Sequence, residues 1–378
     1  MNFVISSSEL FAHLQSINKV ISSKNSLPIL DNFLFQVDGK KLQITASDLE
    51  STLITGMELS NVEGDGVIAI EAKRLLDILK EFSEQPLTFQ IDTKTFNVDV
   101  LSQNGKFTLM GQDGNDFPQL PTIKKGKGAK LSVSAEILSN GINKSLFATA
   151  DDELRPVMNG IYIEISPEEI RFVASDAHKL VRYKRFDVKT TITSSFILPK
   201  KPASLLKNLL VKGTPDVTLE LDEKNAFFQI GMNKLICRLV EGNYPAYNSV
   251  IPVDNPNKLN VDRLELINSL KRVSVFSNQA TNLVRLQITG NQLTISAQDI
   301  DFAISAVERI PCSFDGDPME IGFKSVFLME ILSNIPATNV RFELSDPTRA
   351  GIILPDEEDS KAEEVLMLLM PMMLNDNM

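Results

Sequence analysis

Ser175, Asp176, Ala177, His178 and Lys179 place a hydroxyl, a carboxylate, an imidazole and an amine side by side. Acyl transfer by a hydroxyl nucleophile needs a base within hydrogen-bond reach and a carboxylate to orient that base. Neighbours at a strand end point to opposite faces, so a run this short rarely assembles the relay. Related runs occur twice more without the histidine: Asp48 is followed by Leu49-Glu50, and Asp299 by Ile300-Asp301. A repeated Asp at a strand end fits a turn whose carboxylate accepts backbone hydrogen bonds. A hydrolase using Ser175, Asp176 and His178 is therefore the alternative, not the leading expectation. His13, His178, Cys237 and Cys312 are the only histidines and cysteines, so a zinc site is not expected. Neither a phosphate-cradling glycine loop nor a nucleophile elbow is present. No catalytic residue, metal or cofactor is assigned.

The Asp positions belong to a longer pattern. Leu42–Asp48, Ile170–Asp176 and Leu293–Asp299 are three versions of one strand, their Asp residues 128 and 123 positions apart. Leu75-Leu76, Leu205-Leu206 and Leu328-Met329 keep a similar step, 130 and 123. So do Phe117-Pro118, Tyr244-Pro245 and Met370-Pro371, at 127 and 126. That period is a domain length, not a solenoid repeat. The chain divides as 1–123, 129–252 and 257–378, with Lys124–Gly128 and Pro252–Asn257 as linkers.

Helices are predicted at 9–24, 72–82, 135–148, 199–210, 261–278 and 323–334, two per repeat. Alternating segments such as Lys41–Thr45, Phe96–Leu101 and Val217–Leu221 read as half-buried strands. Leu75, Ile78, Leu79 and Phe82 form one apolar helix face, and Leu328, Ile331, Leu332 and Ile335 repeat it. The expected class is α+β, three two-helix/antiparallel-sheet domains with helices on one side.

Among 378 residues the hydrophobic share is 43%, enough for a core in each third. No stretch approaches the roughly 20 apolar residues of a membrane span. The first residues do not read as a signal peptide, and two unpaired cysteines fit a reducing cytoplasm. The net charge of −11 is unevenly spread: the six helices carry +6, leaving −17 for everything else. Lys73 and Lys80 share a helix face, as do Lys200 and Lys207, and Lys201, Lys271 and Arg272 join them; Lys24 and Arg155 lie near helix ends. No aromatic is interleaved with these cations, so contacts to backbone phosphate, without sequence readout, are the expectation. The acidic stretch Pro355–Glu364 reads as a solvated loop. The terminal run Leu366–Leu374 reads as a last strand that Pro371 breaks, with methionines able to line an adaptable groove.

Several motifs then carry a resemblance: Leu27-Pro28-Ile29-Leu30, Asp116-Phe117-Pro118, Asn159-Gly160, Ala174–Leu180, Tyr244-Pro245 with Ile251-Pro252, Glu320–Phe323 and Met370-Pro371-Met372. In this order, over essentially the whole length, they resemble the bacterial DNA polymerase III beta subunit family, the sliding clamps. The resemblance implies a head-to-tail homodimeric ring around duplex DNA, helices inside and sheets outside, that gives a polymerase processivity. It implies a cytoplasmic, nucleoid-associated protein with no membrane partner. It also implies a groove where the clamp loader, polymerases and repair proteins dock a short linear motif of Gln-Leu-x-Leu-Phe type. Carried over by motif, the groove is Met158, Ser175, Ala177, His178, Lys179, Leu180, Pro245, Val250, Phe327, Leu368, Leu369, Met370, Pro371 and Met372. The implied ring contact is Arg74, Phe107 and Leu109 against Val275 and Phe276. Ala177 stands where the family often has glycine, Met373 where it often has a basic residue, and Asn375–Met378 extends past the usual end. A repeat scaffold that binds only proteins is the remaining alternative.

Overall fold

The computed structural model describes residues 1–123, 129–356 and 362–374. Six α-helices are found among them: α1 (Ser7–Asn18), α2 (Ala72–Lys80), α3 (Ala135–Ser145), α4 (Lys200–Leu209), α5 (Arg263–Val273) and α6 (Ser325–Ser333). Local chemistry sets their ends. Ser6 caps α1 by accepting from the Glu9 N–H at 3.0 Å, and Asp262 caps α5 by accepting from Glu265 at 2.7 Å.

The predicted helix 9–24 is corrected to Ser7–Asn18. The Ser22-Ser23-Lys24-Asn25-Ser26 stretch favours turns, because short polar side chains bond nearby backbone; the Lys24 N–H donates to Ser22 Oγ at 3.2 Å. The predicted 261–278 ends as α helix at Val273, followed by a 3-10 turn, Ser274–Phe276. Phe323 and Lys324, read as helix, end a strand instead, Met319–Lys324.

The chain forms two compact units, Met1–Ser139 with Lys201–Leu239 and Asn140–Lys200 with Val240–Met378. Unit 1 holds a five-stranded antiparallel sheet in the order Val62–Glu63, Asn2–Ser6, Pro86–Asp92, Asn97–Leu101, Lys106–Met110. Its second sheet has nine strands: Gln112–Asp113, Gly66–Glu71, Asn32–Asp38, Lys41–Ser47, Ser51–Glu58, Asn233–Arg238, Asn225–Ile230, Val217–Leu221, Ala129–Val133. Unit 2 repeats the plan. Its nine strands run Ser194–Pro199, Gly160–Ile165, Ile170–Ser175, Lys179–Arg185, Glu363–Leu369, Gly351–Pro355, Asn339–Leu344, Asn257–Asp262, Ser313–Asp315. Its four run Ile304–Pro311, Gln292–Asp299, Leu283–Thr289, Met319–Lys324. Each nine-stranded sheet thus crosses a repeat boundary, and the middle repeat contributes strands to both.

The helices cover these sheets with their apolar faces. Leu75 and Leu79 of α2 are buried, as are Leu328, Ile331 and Leu332 of α6 with Ile335 beyond it. Ile78 and Phe82, at the margin of the first face, are half-buried.

Two loop expectations change. The end of the stretch read as a solvated acidic loop is strand: Glu363 and Glu364 pair with Arg185 and Lys184 in register. The Pro252–Asn257 linker is docked, since buried Asn255 donates to the carbonyls of Glu343 (2.9 Å) and Ala350 (3.2 Å). The Lys124–Gly128 linker, the 357–361 part of the acidic stretch and the tail Asn375–Met378 lie outside the described residues.

Candidate docking and nucleic-acid sites

The three repeated Asp residues all close turns. Asp48 Oδ1 accepts from the N–H groups of Glu50 (3.1 Å) and Ser51 (2.6 Å), and Asp176 Oδ1 from His178 and Lys179 (both 2.9 Å). Asp299 Oδ1 accepts from Asp301 at 3.0 Å. The residue after the Asp takes a left-handed conformation in the first two turns, Leu49 and Ala177 both at φ 76°. Glycine adopts that conformation without cost, which accounts for the preference noted at Ala177. The third turn is longer, and its positive φ moves to Ala303.

This turn chemistry occupies the candidate triad. Ser175 Oγ donates to the Lys179 carbonyl (2.9 Å) and accepts from the Ala177 N–H (3.2 Å). Asp176 Oδ2 is paired with Lys179 Nζ at 2.7 Å, and the His178 ring stacks on Phe327 at 5.6 Å. Serine and aspartate are both engaged with Lys179 and the turn backbone, while the histidine ring lies against Phe327.

The same turn leads into the part of unit 2 where the resemblance implied a groove. Leu180 lies opposite Leu368 and Lys179 opposite Leu369 in the sheet. Leu180, Leu368, Leu369 and Met158 are buried and offer no free surface, so any groove here could use them only as a floor. Leu180 and Leu368 share an apolar cluster with Tyr247, Ile352 and Leu366, against which Tyr244 and Ile251 pack. That cluster brings the 244–251 segment, with exposed Pro245 and Val250, to the floor strands. On the turn, Ala177 and His178 are exposed; Phe327, Pro371 and Met372 are half-buried, and Met370 is exposed.

Two backbone bonds hold the C-terminal segment in place: the Met370 N–H donates to the His178 carbonyl and the Met372 N–H to the Gly322 carbonyl, both at 2.8 Å. Gly322 is required there, because a Cβ would sit 2.8 Å from both the Met372 carbonyl oxygen and Leu374 Cδ2.

The basic residues divide by partner. Arg155 is paired with Asp152 (2.7 Å), Lys200 with Asp151 (2.5 Å) and Arg272 with Glu308 through two bonds of 2.6 Å. Lys201 Nζ is engaged twice, by Asp48 Oδ2 at 2.5 Å and the Val20 carbonyl at 2.6 Å, so it ties α4 to the first repeat. Lys24, Lys73, Lys80, Lys207 and Lys271 are exposed and have no ion pair among the described residues.

Three family models match the chain. They are described as the N-terminal, central and C-terminal domains of the DNA polymerase III beta subunit, and they cover residues 1–121, 132–246 and 248–372. A beta sliding clamp from Synechocystis sp. is 30% identical, the match covering 94% of this chain and 96% of the relative. The chain belongs to the beta sliding clamp family. A beta sliding clamp from Pseudomonas aeruginosa is 29% identical over 97% of this chain and 99% of its own. A crystal structure of a P. aeruginosa sliding clamp bound to griselimycin has a TM-score of 0.91 at 28% identity, covering 99% of this chain and all of that one. One from Bartonella birtlesii, also bound to griselimycin, gives 0.89 at 28%.

The fold is the three-domain clamp fold, and the function is that of a DNA sliding clamp. Neither the hydrolase nor the pure scaffold alternative gains support. Among the described residues no helix is long and apolar enough to cross a membrane.

Each unit of this clamp also presents an open sheet edge. In unit 1 it is Lys106–Met110, where Phe107 packs edge-on against Phe82 at 5.3 Å, Leu109 is buried and Met110 is 72% exposed. Arg74 pairs with Glu71 at 3.1 Å and stays exposed. In unit 2 the edge is Ile304–Pro311, with Val275, Phe276, Ile300, Phe302, Ile304 and Val307 all exposed on or beside it. Sequence reasoning named Arg74, Phe107, Leu109, Val275 and Phe276 there. Met110, Ile304 and Val307 escaped it, because edge position is a property of sheet order and leaves no local mark.

Proposed function

We propose that this clamp acts as a head-to-tail homodimeric ring of domains 1–123, 129–252 and 257–378 around duplex DNA, in the cytoplasm and nucleoid-associated. The carrying observation is the pair of open edges with apolar residues beside them. Unpaired strand edges invite pairing with another chain, and a copy offering Ile304–Pro311 complements one offering Lys106–Met110. Such a heterologous contact closes after two copies if the rotation allows it.

DNA binding then falls to the unpaired ammonium groups of Lys24, Lys73, Lys80, Lys207 and Lys271. Arg155, Lys200, Lys201 and Arg272 are less available, because each already faces an acid. Contacts of this kind are electrostatic and weak, which suits a topological link that must slide. The clamp loader, polymerases and repair proteins dock in the unit 2 groove, where Ala177, His178, Pro245, Val250, Phe327, Met370, Pro371 and Met372 offer apolar surface above a closed floor. The P. aeruginosa and B. birtlesii clamps each bind griselimycin in their crystal structures.

Phe276→Asp tests the ring. A buried unpaired carboxylate is costly, so folded monomers are expected at low micromolar protein by analytical ultracentrifugation. Loader-dependent retention on nicked circular DNA, lost on linearisation, should vanish with the dimer. A Phe276→Asp protein that remains dimeric would place the contact elsewhere.

A further inference from the structure

We infer that Glu330 is a positioning residue for peptide docking: together with Asp176 it clamps the Lys179 ammonium beneath the Phe327 ring and so sets the angle of the groove's aromatic wall. The inference rests on the docking proposal above. Its starting point is that Lys179 is only 4% exposed, too little for its ammonium to meet a docked peptide. Nζ lies 2.7 Å from Asp176 Oδ2, 2.9 Å from Glu330 Oε2 and 4.3 Å from the Phe327 centroid. Burial alone would push this ammonium's pKa down, but the bonds to Asp176 and then Glu330 more than offset it, and the net shift is upward.

The carboxylate of Asp176 is shared. One oxygen builds the turn that carries Ala177 and His178, and the other takes the ammonium. Glu330 supplies the matching acid from α6, three residues after Phe327, hence on the same side of the helix. Lys179 therefore spans from the turn to the helix that bears the aromatic.

Two further groups lie against Phe327. Lys324 Nζ lies 4.8 Å from its centroid, and the His178 ring stacks on it at 5.6 Å with 24° between planes. Cations favour the ring face, so two ammonium groups and an imidazole fix its plane. Removing the Glu330 charge leaves two ammonium groups near one ring with Asp176 as the only neutralising acid of the clamp. The Lys179 side chain is then free to follow Asp176 alone, and the ring loses its orientation.

The test uses the full-length protein and a fluorescein-labelled Gln-Leu-Ser-Leu-Phe peptide, read by anisotropy. Glu330→Gln should weaken binding roughly 3- to 5-fold, the size expected for a partly exposed ion pair, and Glu330→Asp should recover most of it. In a Phe327→Leu background Glu330→Gln should have no further effect, since the ring through which it acts is gone. An effect of Glu330→Gln that persists in Phe327→Leu overturns the inference, as does unchanged affinity in Glu330→Gln alone. Met370→Ala separates the two levels. If it leaves affinity intact, the docking site itself is misplaced; if it abolishes binding while Glu330→Gln is silent, only the clamp fails.

Discussion

Two junctions join successive repeats, one inside each unit, and they are built differently around the same turn. In unit 1, Ser51–Ile54 pairs with Lys234–Cys237 over four residues. Its buried side chains are small or apolar, among them Leu53, Leu235 and Cys237, whose thiol burial pushes up to about 12. In unit 2, Lys179–Arg185 pairs with Glu363–Leu369 over seven residues. Ion pairs run along it: Arg182–Glu364 at 2.7 Å, Lys184–Glu364 at 3.1 Å and Lys144–Glu363 at 3.0 Å, with Tyr183 also donating to Glu363.

The turn Asp is served differently as well. Asp48 receives its cation from α4, whereas Asp176 receives one from Lys179, at the start of the strand its turn leads into. Lys324 stands 123 positions after Lys201, and Phe327 stands 123 after Ser204. Freed from bridging to the turn, Lys324 lies over an aromatic where the first junction has serine. The same scaffold thus makes one junction fastened by lysine and another with an aromatic shelf beside it. Only the second junction has that shelf, and under the docking proposal it is the one a partner would use.

The comparison is broken most severely from the core. Leu235→Ala and Leu369→Ala each remove a fully buried side chain and should each cost about 2–5 kcal/mol in urea unfolding. Only Leu369→Ala should also weaken peptide binding. Equal loss of peptide affinity from Leu235→Ala would mean that the junctions do not act separately.

Acid should sharpen the contrast. Burial pushes the carboxyls of Glu363 and Glu364 up, but hydrogen bonds from Tyr183 and Lys144 to the first, and from Lys184 and Arg182 to the second, leave both below the ordinary 4.5. A depressed folded-state value gives stability that is present above about pH 4.5 and lost as pH falls through the lower, folded value. Hydrogen exchange on acidification should therefore open 179–185 and 363–369 before 51–54 and 234–237. Glu363→Gln, which leaves Lys144 short of its acid, should cost about 1–3 kcal/mol at neutral pH and remove much of the acid sensitivity. Simultaneous opening of both junctions would show that the ion pairs do not distinguish them.

The smallest effect tests what the junctions share. Leu49→Gly and Ala177→Gly relieve the same left-handed backbone, and each should stabilise by less than about 1 kcal/mol. Clearly different gains would mean that the two turns are not equivalent.

How much of this was legible beforehand follows the range of the interactions. The Asp turns and the apolar helix faces depend on residues within a few positions of one another, and they stood out in the sequence. Strand pairing across a repeat boundary joins residues about 180 positions apart, as Glu363 and Arg185 are, and composition alone made Glu363 and Glu364 look like loop. Lys201 was read as a free cation for phosphate, because its partners Asp48 and Val20 are distant in sequence. Groove membership carried over by motif did not separate buried residues (Leu180, Leu368, Leu369) from exposed ones such as His178 and Met370. That distinction needs the pleat and the layers above it.

The sharing of the middle repeat between two nine-stranded sheets has a mechanical side. Tension applied across either repeat boundary is borne by rungs of backbone hydrogen bonds as well as by the covalent chain: Ser51–Ile54 with Lys234–Cys237 in one unit, Lys179–Arg185 with Glu363–Leu369 in the other. Pulled along the strands, such rungs load together and yield in shear rather than one at a time. A clamp towed along DNA by a moving polymerase thus has its repeat boundaries doubly fastened, and a single backbone nick between repeats leaves the sheet to carry the load.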